Sequence, residues 1–236
     1  MADLIVALDV PTADDALAMV DRLGDAVDRY KVGAPLFTRA GPSIIETLRA
    51  RDKRVFLDLK YHDIPHTVAR AAEAAAAMGV ELLTLHASGG RAMLRAAREA
   101  VGEEGPRLLA VTLLTSMGVS ELEAVWGRET RSLREDVFRL AELAAESGLD
   151  GVVASALEAE PLKRRHGEDF LVVTPGIRPS GAEAGDQVRT ATPADAVEAG
   201  SDFLVVGRPI LRATDPAKAA AAILEEIGWK RKPVDR

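Results

Sequence analysis

The stretch Val55-Phe-Leu-Asp-Leu-Lys-Tyr-His-Asp-Ile-Pro-His-Thr67 places opposite charges inside an apolar run. It begins as a buried strand, and Asp58 and Lys60 interrupt it; Asp63 follows one short turn later, and Pro65 ends the extended segment. In a regular strand Asp58 and Lys60 share a face, with their side chains starting roughly 6–7 Å apart. Charges on a buried strand are costly unless they are paired or useful. The pair is therefore either a structural ion pair or part of a functional site.

Apolar runs that resemble strands alternate with helical patterns eight times along the chain. The runs are continuous rather than alternating, which is typical of parallel strands covered on both faces. The predicted strands are Leu4–Val10, Arg29–Gly33, Arg54–Lys60, Leu82–Ala87, Leu108–Thr115, Gly151–Ser155, Leu171–Ile177 and Phe203–Arg208.

Helices are predicted between these strands. Thr12 is expected to cap the first helix, because its hydroxyl can accept a backbone N–H and acidic residues follow it. The other predicted helices are Ser43–Arg51, Thr67–Met78, Arg91–Val101, Ser132–Ser147, Leu157–Arg165, Pro193–Ala199 and Pro216–Ile227.

Eight strand–helix units in 236 residues, without a linker, predict an α/β fold: a single (β/α)8 TIM barrel over residues 1–236, with 229–236 as a solvated tail. A doubly wound open sheet is the alternative. Its glycine-rich first turn is missing, because Asp9-Val10-Pro11-Thr12 follows the first strand.

Composition excludes several classes of protein. The net charge is −7 and no long basic run occurs, so nucleic acid is not an expected partner. The chain has no cysteine, which excludes disulfides and thiolate metal sites. No apolar run approaches about 18 residues and no signal-like segment precedes the first strand, so a membrane is not expected either. A cytoplasmic protein is the expectation.

Polar groups collect at one end of most predicted strands. Barrel enzymes place their active sites at the carboxyl ends of the strands, so this rim is the expected site. The opposite ends carry glycines, aspartates and arginines that look merely solvated. The polar residues at the expected rim are Asp9, Lys31, Asp58, Lys60, His86, Thr115, Ser116, Arg178 and Arg208.

Two segments suit phosphate binding. Gly207-Arg208 follows the last strand, where barrels commonly bind phosphate through a backbone N–H and a guanidinium; a surface turn is the alternative. Pro179–Arg189 is long for a loop of this kind and carries the only glutamine, Gln187. It is either a surface loop or a lid whose Gln187 amide meets the phosphate.

The four histidines do not have the spacing of a metal site. His62 and His66 are four residues apart, but Pro65 is expected to break any helix between them. His86 is interpreted as a structural histidine and His166 as a solvated one.

The remaining charges favour acid catalysis. Strands two and three should bring Lys31 beside Asp58 and Lys60, and alternation with Asp63 keeps the lysines protonated. A charged ammonium suits stabilising a carbanion and then protonating it, whereas a Schiff-base lysine needs cationic or apolar neighbours. Lys60 is therefore the predicted acid.

The chain closely resembles the orotidine 5′-phosphate decarboxylase family, in its bacterial form, over nearly its whole length. The shared motifs are Ala7-Leu8-Asp9, Lys31-Val32-Gly33, Phe56-Leu57-Asp58-Leu59-Lys60-Tyr61-His62-Asp63-Ile64-Pro65, His86-Ala87-Ser88-Gly89-Gly90, Leu114-Thr115-Ser116, Pro175-Gly176-Ile177-Arg178-Pro179, Asp186-Gln187-Val188-Arg189 and Val206-Gly207-Arg208.

The resemblance implies cofactor-free and metal-free loss of CO2 from orotidine 5′-phosphate, giving uridine 5′-phosphate. It implies four catalytic residues, Lys60, Asp58, Lys31 and Asp63. Lys60 protonates C6, and Lys31 links Asp58 to the ribose. Asp58 faces the departing carboxylate and either strains the substrate or holds Lys60. Asp63 and Thr67 are expected to enter the partner's site in a homodimer. The other implied substrate contacts are Asp9, Ile64, Thr115, Ser116, Pro175, Arg178, Gln187, Gly207 and Arg208.

Two alternatives stay open from the sequence. One is a Mg2+-dependent sugar-phosphate decarboxylase or aldolase on the same barrel; such enzymes carry a metal-binding glutamate where this chain has Lys31, whose ammonium would repel a divalent ion. The other is a catalytically dead barrel that only binds nucleotides, against which the retained charges argue.

Overall fold

The structure, a computed structural model, describes residues 2–130, 132–179 and 190–228. Eight parallel strands pair in sequence order, and the first closes on the last. This closure confirms the predicted (β/α)8 TIM barrel and excludes the open doubly wound sheet. The strands are β1 Asp3–Ala7, β2 Arg29–Gly33, β3 Arg54–Tyr61, β4 Leu82–His86, β5 Arg107–Val111, β6 Gly151–Val153, β7 Leu171–Thr174 and β8 Phe203–Val206.

Helices lie between the strands and cover the outside of the barrel. Thr12 caps α1 as predicted, because its Oγ1 accepts the Asp15 N–H at 3.1 Å. The helices of the described residues are α1 Ala13–Leu23, α2 Ala34–Ala40, α3 Ser43–Ala50, α4 Pro65–Ala77, α5 Gly90–Val101, α6 Val119–Trp126, α7 Leu133–Glu146, α8 Ala156–His166, α9 Pro193–Glu198, α10 Arg208–Leu211 and α11 Pro216–Glu226. Across these ranges, none is both long and apolar enough to span a membrane.

Two helices, α2 and α6, were not expected, since each is short and bounded by glycines. Pro65 begins α4, so no helix runs from His62 to His66, as predicted. Proline is tolerated at this first position because its missing N–H would have no intrahelical partner. The predicted tail 229–236 and the loop after Pro179 lie outside the described residues.

The barrel has an apolar interior below a polar mouth. Residues at alternate positions point inward and form a buried cluster that includes Ile5, Phe56, Leu82, Leu109 and Phe203. The intervening residues point outward and pack against the helices in a larger buried cluster. This packing fills the lower barrel, so open space for a ligand occurs at the carboxyl ends of the strands.

The amino ends of the strands are not merely solvated, so that expectation was wrong. Arg29 forms ion pairs with Asp3 and with Glu81, the latter at 3.1 Å. Asp150 accepts the Leu108 N–H at 2.7 Å and thereby ties adjoining strands together. These carboxylates satisfy donors at the base of the barrel, a stabilising role that sequence spacing does not reveal.

Candidate active site

A pocket of about 280 Å³ opens at the carboxyl ends of the strands. Its lower wall is apolar, with Ala7, Phe56, Val111, Val153 and Val205. Ten of the residues singled out in the sequence line the same pocket: Asp9, Lys31, Asp58, Lys60, Thr115, Ser116, Pro175, Arg178, Gly207 and Arg208. The fold therefore gathers side chains from the ends of six strands or of the loops that follow them.

Four charges form a continuous chain across this pocket. Lys31 Nζ lies 3.0 Å from Asp9 Oδ1 and 3.5 Å from Asp58 Oδ2. Lys60 Nζ lies 2.7 Å from the other Asp58 oxygen, Oδ1. Asp58 is thus held between two ammonium groups, in the order carboxylate, ammonium, carboxylate, ammonium. The side chains of Lys31 and Asp58 are each only 11% exposed, so water screens their interaction weakly.

The Asp58 carboxyl stays ionised in this setting. Burial alone would raise its pKa, but the nearby ammonium groups of Lys31 and Lys60, with hydrogen bonds from Lys60 and Thr84, lower the pKa below its ordinary value. The carboxylate is therefore a fixed negative charge at neutral pH.

Gly33 leaves room for this chain of charges. A Cβ atom at position 33 would lie 3.1 Å from Lys31 Nζ and 3.5 Å from Asp9 Oδ1. Even an alanine would therefore crowd the ion pair that joins β1 and β2.

The backbone at Lys60 is irregular, and the expectation of a regular strand was wrong there. Lys60 has a φ of 51°, a left-handed conformation that residues other than glycine seldom adopt. Leu57 pairs with Leu83 and Tyr61 with Leu85, so three residues of β3 face a single residue of β4. This bulge re-aims the Lys60 side chain over the pocket, as bulges beside active sites often do.

Thr84 contacts both members of the Asp58–Lys60 pair and was missed in the sequence. Its hydroxyl donates to Asp58 Oδ1 at 3.0 Å and accepts the Lys60 backbone N–H at 2.9 Å. The signal was available, because Leu82, Thr84 and His86 alternate along one strand and share a face. A threonine in that series is a polar residue at an inward position.

Asp63, Ile64 and Thr67 do not join the cluster within one chain. Asp63 and Ile64 lie between β3 and α4, and Thr67 lies in the first turn of α4. All three are exposed, and Ile64 is 66% exposed. The Asp63 carboxylate accepts the Ile64 N–H at 2.6 Å, and no ion pair joins it to Lys60 within the described part of the chain. Gln187 falls outside the described residues.

His62 and His86 lie beside the chain of charges, with their rings 5.4 Å apart. Burial lowers the pKa of His86, and its electrostatic interactions with His62 and Lys60 lower it further, against an opposing effect of Asp58. Among residues 2–130, 132–179 and 190–228, no three His, Cys, Asp or Glu side chains converge as a metal site would require.

His166 is half-buried rather than fully solvated as expected. Its ring packs 4.8 Å from that of Phe170, and its Nε2 atom is buried with no hydrogen-bond partner among the described residues. Burial accordingly lowers its pKa.

A second concavity, of about 530 Å³, lies on the outer surface beside α7. Its lining includes two ion pairs, with Arg91 and Glu146 2.5 Å apart and Arg165 and Glu142 2.9 Å apart. Because these charges already neutralise one another, the concavity lacks the convergent polar groups of a reaction site.

Comparisons with known proteins agree on one family. Residues 2–223 match the family model described as "Orotidine 5'-phosphate decarboxylase / HUMPS family". The chain is 57% identical over 226 residues to the orotidine 5′-phosphate decarboxylase of Halorhodospira halophila, covering 95% of both chains. It is 49% identical to that of a Nostoc species, over 97% of this chain and 94% of the relative. The crystal structure of the Lactobacillus acidophilus orotidine 5′-phosphate decarboxylase superimposes with a TM-score of 0.85 at 40% identity, covering 96% of this chain and 99% of that one.

Proposed function

We propose a mechanism from the premise that this chain belongs to the orotidine 5′-phosphate decarboxylase / HUMPS family. The chain is a carboxy-lyase that decarboxylates orotidine 5′-phosphate, a reaction of pyrimidine biosynthesis. The products are uridine 5′-phosphate and CO2. The observation that carries the mechanism is the chain of charges Asp9–Lys31–Asp58–Lys60 across the pocket.

Lys60 is the proton donor in this mechanism. The bond between C6 and the carboxylate breaks, CO2 leaves, and the electron pair remains on C6 as a carbanion. The Lys60 ammonium stabilises that charge and transfers its proton to C6, and the resulting amine regains a proton from solvent. The 2.7 Å contact with Asp58 supports this role, because it holds the Lys60 ammonium at a fixed place in the pocket.

Asp58 has two effects that the same geometry supports. Its ionised carboxylate holds the Lys60 ammonium, and it also opposes a second negative charge placed beside it. A substrate carboxylate seated there would be repelled in the ground state, and the repulsion would disappear as neutral CO2 forms. The apolar wall of Ala7, Val153 and Val205 suits the neutral product better than the charged group.

The rest of the pocket is proposed to orient the nucleotide. Lys31 and Asp9 bind the ribose hydroxyls, and Ser116, with Thr115 beside it, binds the amide edge of the pyrimidine. Phosphate is held by the Gly207 N–H and the guanidinium groups of Arg178 and Arg208, with Pro175 lining the site and Gln187 in a closing loop. Binding energy from the distant phosphate then contributes to closure and orientation rather than to the chemical step itself.

We propose a homodimer in which Asp63 and Thr67 complete the partner's site, with Ile64 in the contact. All residues from His62 to Thr67 are exposed in a single chain, including the large apolar side chain of Ile64. Contact with a partner subunit would remove the apolar surface of Ile64 from water, which favours association. We also propose the cytoplasmic location expected from the sequence. The biosynthetic role supports it.

The description of the family also names a second group, HUMPS. The Mg2+-dependent sugar-phosphate reaction is therefore the alternative. Against it, Lys31 puts an ammonium between Asp9 and Asp58, the carboxylates that would otherwise be available to a cation. No cofactor is required by the proposed mechanism.

A spectrophotometric assay with EDTA distinguishes the candidates. We expect orotidine 5′-phosphate to be consumed at the same rate in EDTA as without it. Loss of turnover in EDTA that added Mg2+ restores would favour the metal-dependent reaction. Binding of uridine 5′-phosphate without any turnover would indicate a barrel that only binds nucleotides.

A further inference from the structure

Thr84 lies beneath the chain of charges, facing the bulge of β3. It is fully buried in the middle of β4 and points into the barrel, between Leu82 below and His86 above. Its backbone pairs with Leu109 of β5. Its side chain is therefore held by regular strand structure on one side and faces irregular backbone on the other.

The bulge leaves part of β3 without its usual partners. Asp58, Leu59 and Lys60 together lie opposite Thr84, because the neighbouring pairs are Leu57 with Leu83 and Tyr61 with Leu85. A buried backbone N–H without an acceptor costs free energy comparable to a lost hydrogen bond. The Thr84 hydroxyl oxygen takes the place of the missing carbonyl, accepting the Lys60 N–H at 2.9 Å.

The same hydroxyl uses its hydrogen for the carboxylate. It donates to Asp58 Oδ1 at 3.0 Å, the oxygen that also contacts Lys60 Nζ at 2.7 Å. One side chain thus holds the backbone of the lysine and the carboxylate that receives the lysine's ammonium. A hydroxyl fits this position because it donates and accepts at once, which neither valine nor alanine does.

We propose that Thr84 is a positioning residue for proton delivery. By holding Lys60 in its left-handed conformation and Asp58 in a fixed rotamer, Thr84 sets where the Lys60 ammonium lies in the pocket. The inference rests on the proposed function, in which Lys60 protonates C6. Thr84 does not itself touch the reacting atoms; it acts through Lys60 and Asp58.

Three variants test this role. Thr84→Val removes the hydroxyl at nearly constant volume, and Thr84→Ser restores it. Thr112→Val is the matched control. Thr112 is also buried, at 4% exposed, and its hydroxyl donates a 3.1 Å hydrogen bond to the Val153 carbonyl, away from the charges. The valine removes that bond at nearly constant volume. Each variant is assayed for kcat and KM with orotidine 5′-phosphate, for affinity toward uridine 5′-phosphate by calorimetry, and for its melting temperature.

We expect Thr84→Val to lower kcat by about 100-fold, the scale of loss that small misplacements of a catalytic group produce. Its affinity for uridine 5′-phosphate should stay within about twofold of that of the unmodified protein, since binding of the product involves no proton transfer. Thr84→Ser should recover most of kcat. Thr112→Val should melt at a lower temperature with kcat unchanged.

Several results would overturn the inference. These are a kcat within about twofold for Thr84→Val, equal losses in the valine and serine variants, or a matching loss in Thr112→Val. A crystal structure of Thr84→Val that retains the positive φ of Lys60 and its contact with Asp58 would do so without any activity measurement. By contrast, an unmodified protein that does not decarboxylate orotidine 5′-phosphate would refute the proposed function, and the crystal structure would still decide the role of Thr84.

Discussion

Replacing Lys31 with methionine removes the positive charge between Asp9 and Asp58 while leaving most of the side-chain volume. Lys31 Nζ lies 3.5 Å from Asp58 Oδ2, and both side chains are 11% exposed. At an effective dielectric constant of about 20, Coulomb's law gives the attraction between these charges as about 5 kcal/mol. The ammonium, however, also has a desolvation cost of several kcal/mol, which the variant no longer bears.

The balance of these two terms decides the expected loss. Asp58 keeps Lys60 at 2.7 Å and Thr84 at 3.0 Å, so its carboxylate is not left without partners. We therefore expect Lys31→Met to lower the free energy of unfolding by about 2 kcal/mol, below the range for stripping a buried charge of its only partner. For a chain of this size that is a fall of about 4–8 °C in melting temperature.

The pH dependence of that loss identifies its origin. Without Lys31 the pKa of Asp58 rises, because burial is no longer fully offset by two ammonium groups. The folded variant then takes up a proton at a higher pH than the folded unmodified protein does. The difference in unfolding free energy between the two proteins should consequently shrink as pH falls from about 7 toward about 4.

Urea unfolding at several pH values, beside steady-state kinetics, measures both effects. Lys163→Met is the matched control: Lys163 is 7% exposed, lies 2.8 Å from Asp202 and is outside the pocket. Both variants should lose similar stability, but only Lys31→Met should lose turnover, by about 100-fold. A Lys31→Met protein with unchanged turnover, or a stability loss that grows as pH falls, would refute the reasoning.

Three further predictions follow from the same site. Lys60→Ala should abolish decarboxylation by many orders of magnitude in a protein that still unfolds cooperatively; near-normal turnover in a pure sample would remove Lys60 from its role. Asp63→Ala should also be inactive, and mixing it in equal amounts with Lys60→Ala should restore about a quarter of full activity, because half of all dimers are then mixed and each mixed dimer has one intact site of two; no recovery after subunit exchange would place Asp63 in its own chain's site. The lowered pKa of His86 means that its stabilising contribution is complete above its ordinary pKa of 6.5 and is lost as pH falls toward the lower folded value. The free energy of unfolding of His86→Asn should therefore vary less between about pH 7 and about pH 5 than that of the unmodified protein, and an equal slope by urea unfolding would contradict the shift.

The hydrophobic periodicity of the chain and the order of its predicted strands and helices were enough to predict the barrel. Eight continuous apolar runs separated by helical patterns specify parallel strands covered on both faces, and a barrel is the closed form of such a sheet. The same logic brings the side chains at the strand ends to one rim, which is why Asp9, Lys31 and Asp58 could be expected near one another. These inferences depend on local spacing and on a general rule of the fold.

Contacts between segments that are distant in sequence could not be predicted from residue spacing. α6 follows a weak pattern, and the role of Pro65 as the first residue of α4 depends on how the chain leaves β3. The ion pairs of Arg29 and the half-buried ring of His166 were likewise expected to be solvated, because burial of a polar group depends on what packs over it.

The sequence by itself determined which charges this protein has and on which strands they lie, since side-chain alternation and strand order are properties of the chain. Only the tertiary structure decided how those charges meet. The left-handed backbone of Lys60 is tolerated because β3 bulges against β4 and because Thr84, 24 residues away, supplies the missing hydrogen bond. A strained conformation of this kind costs free energy locally, so it persists only when contacts from other strands stabilise it.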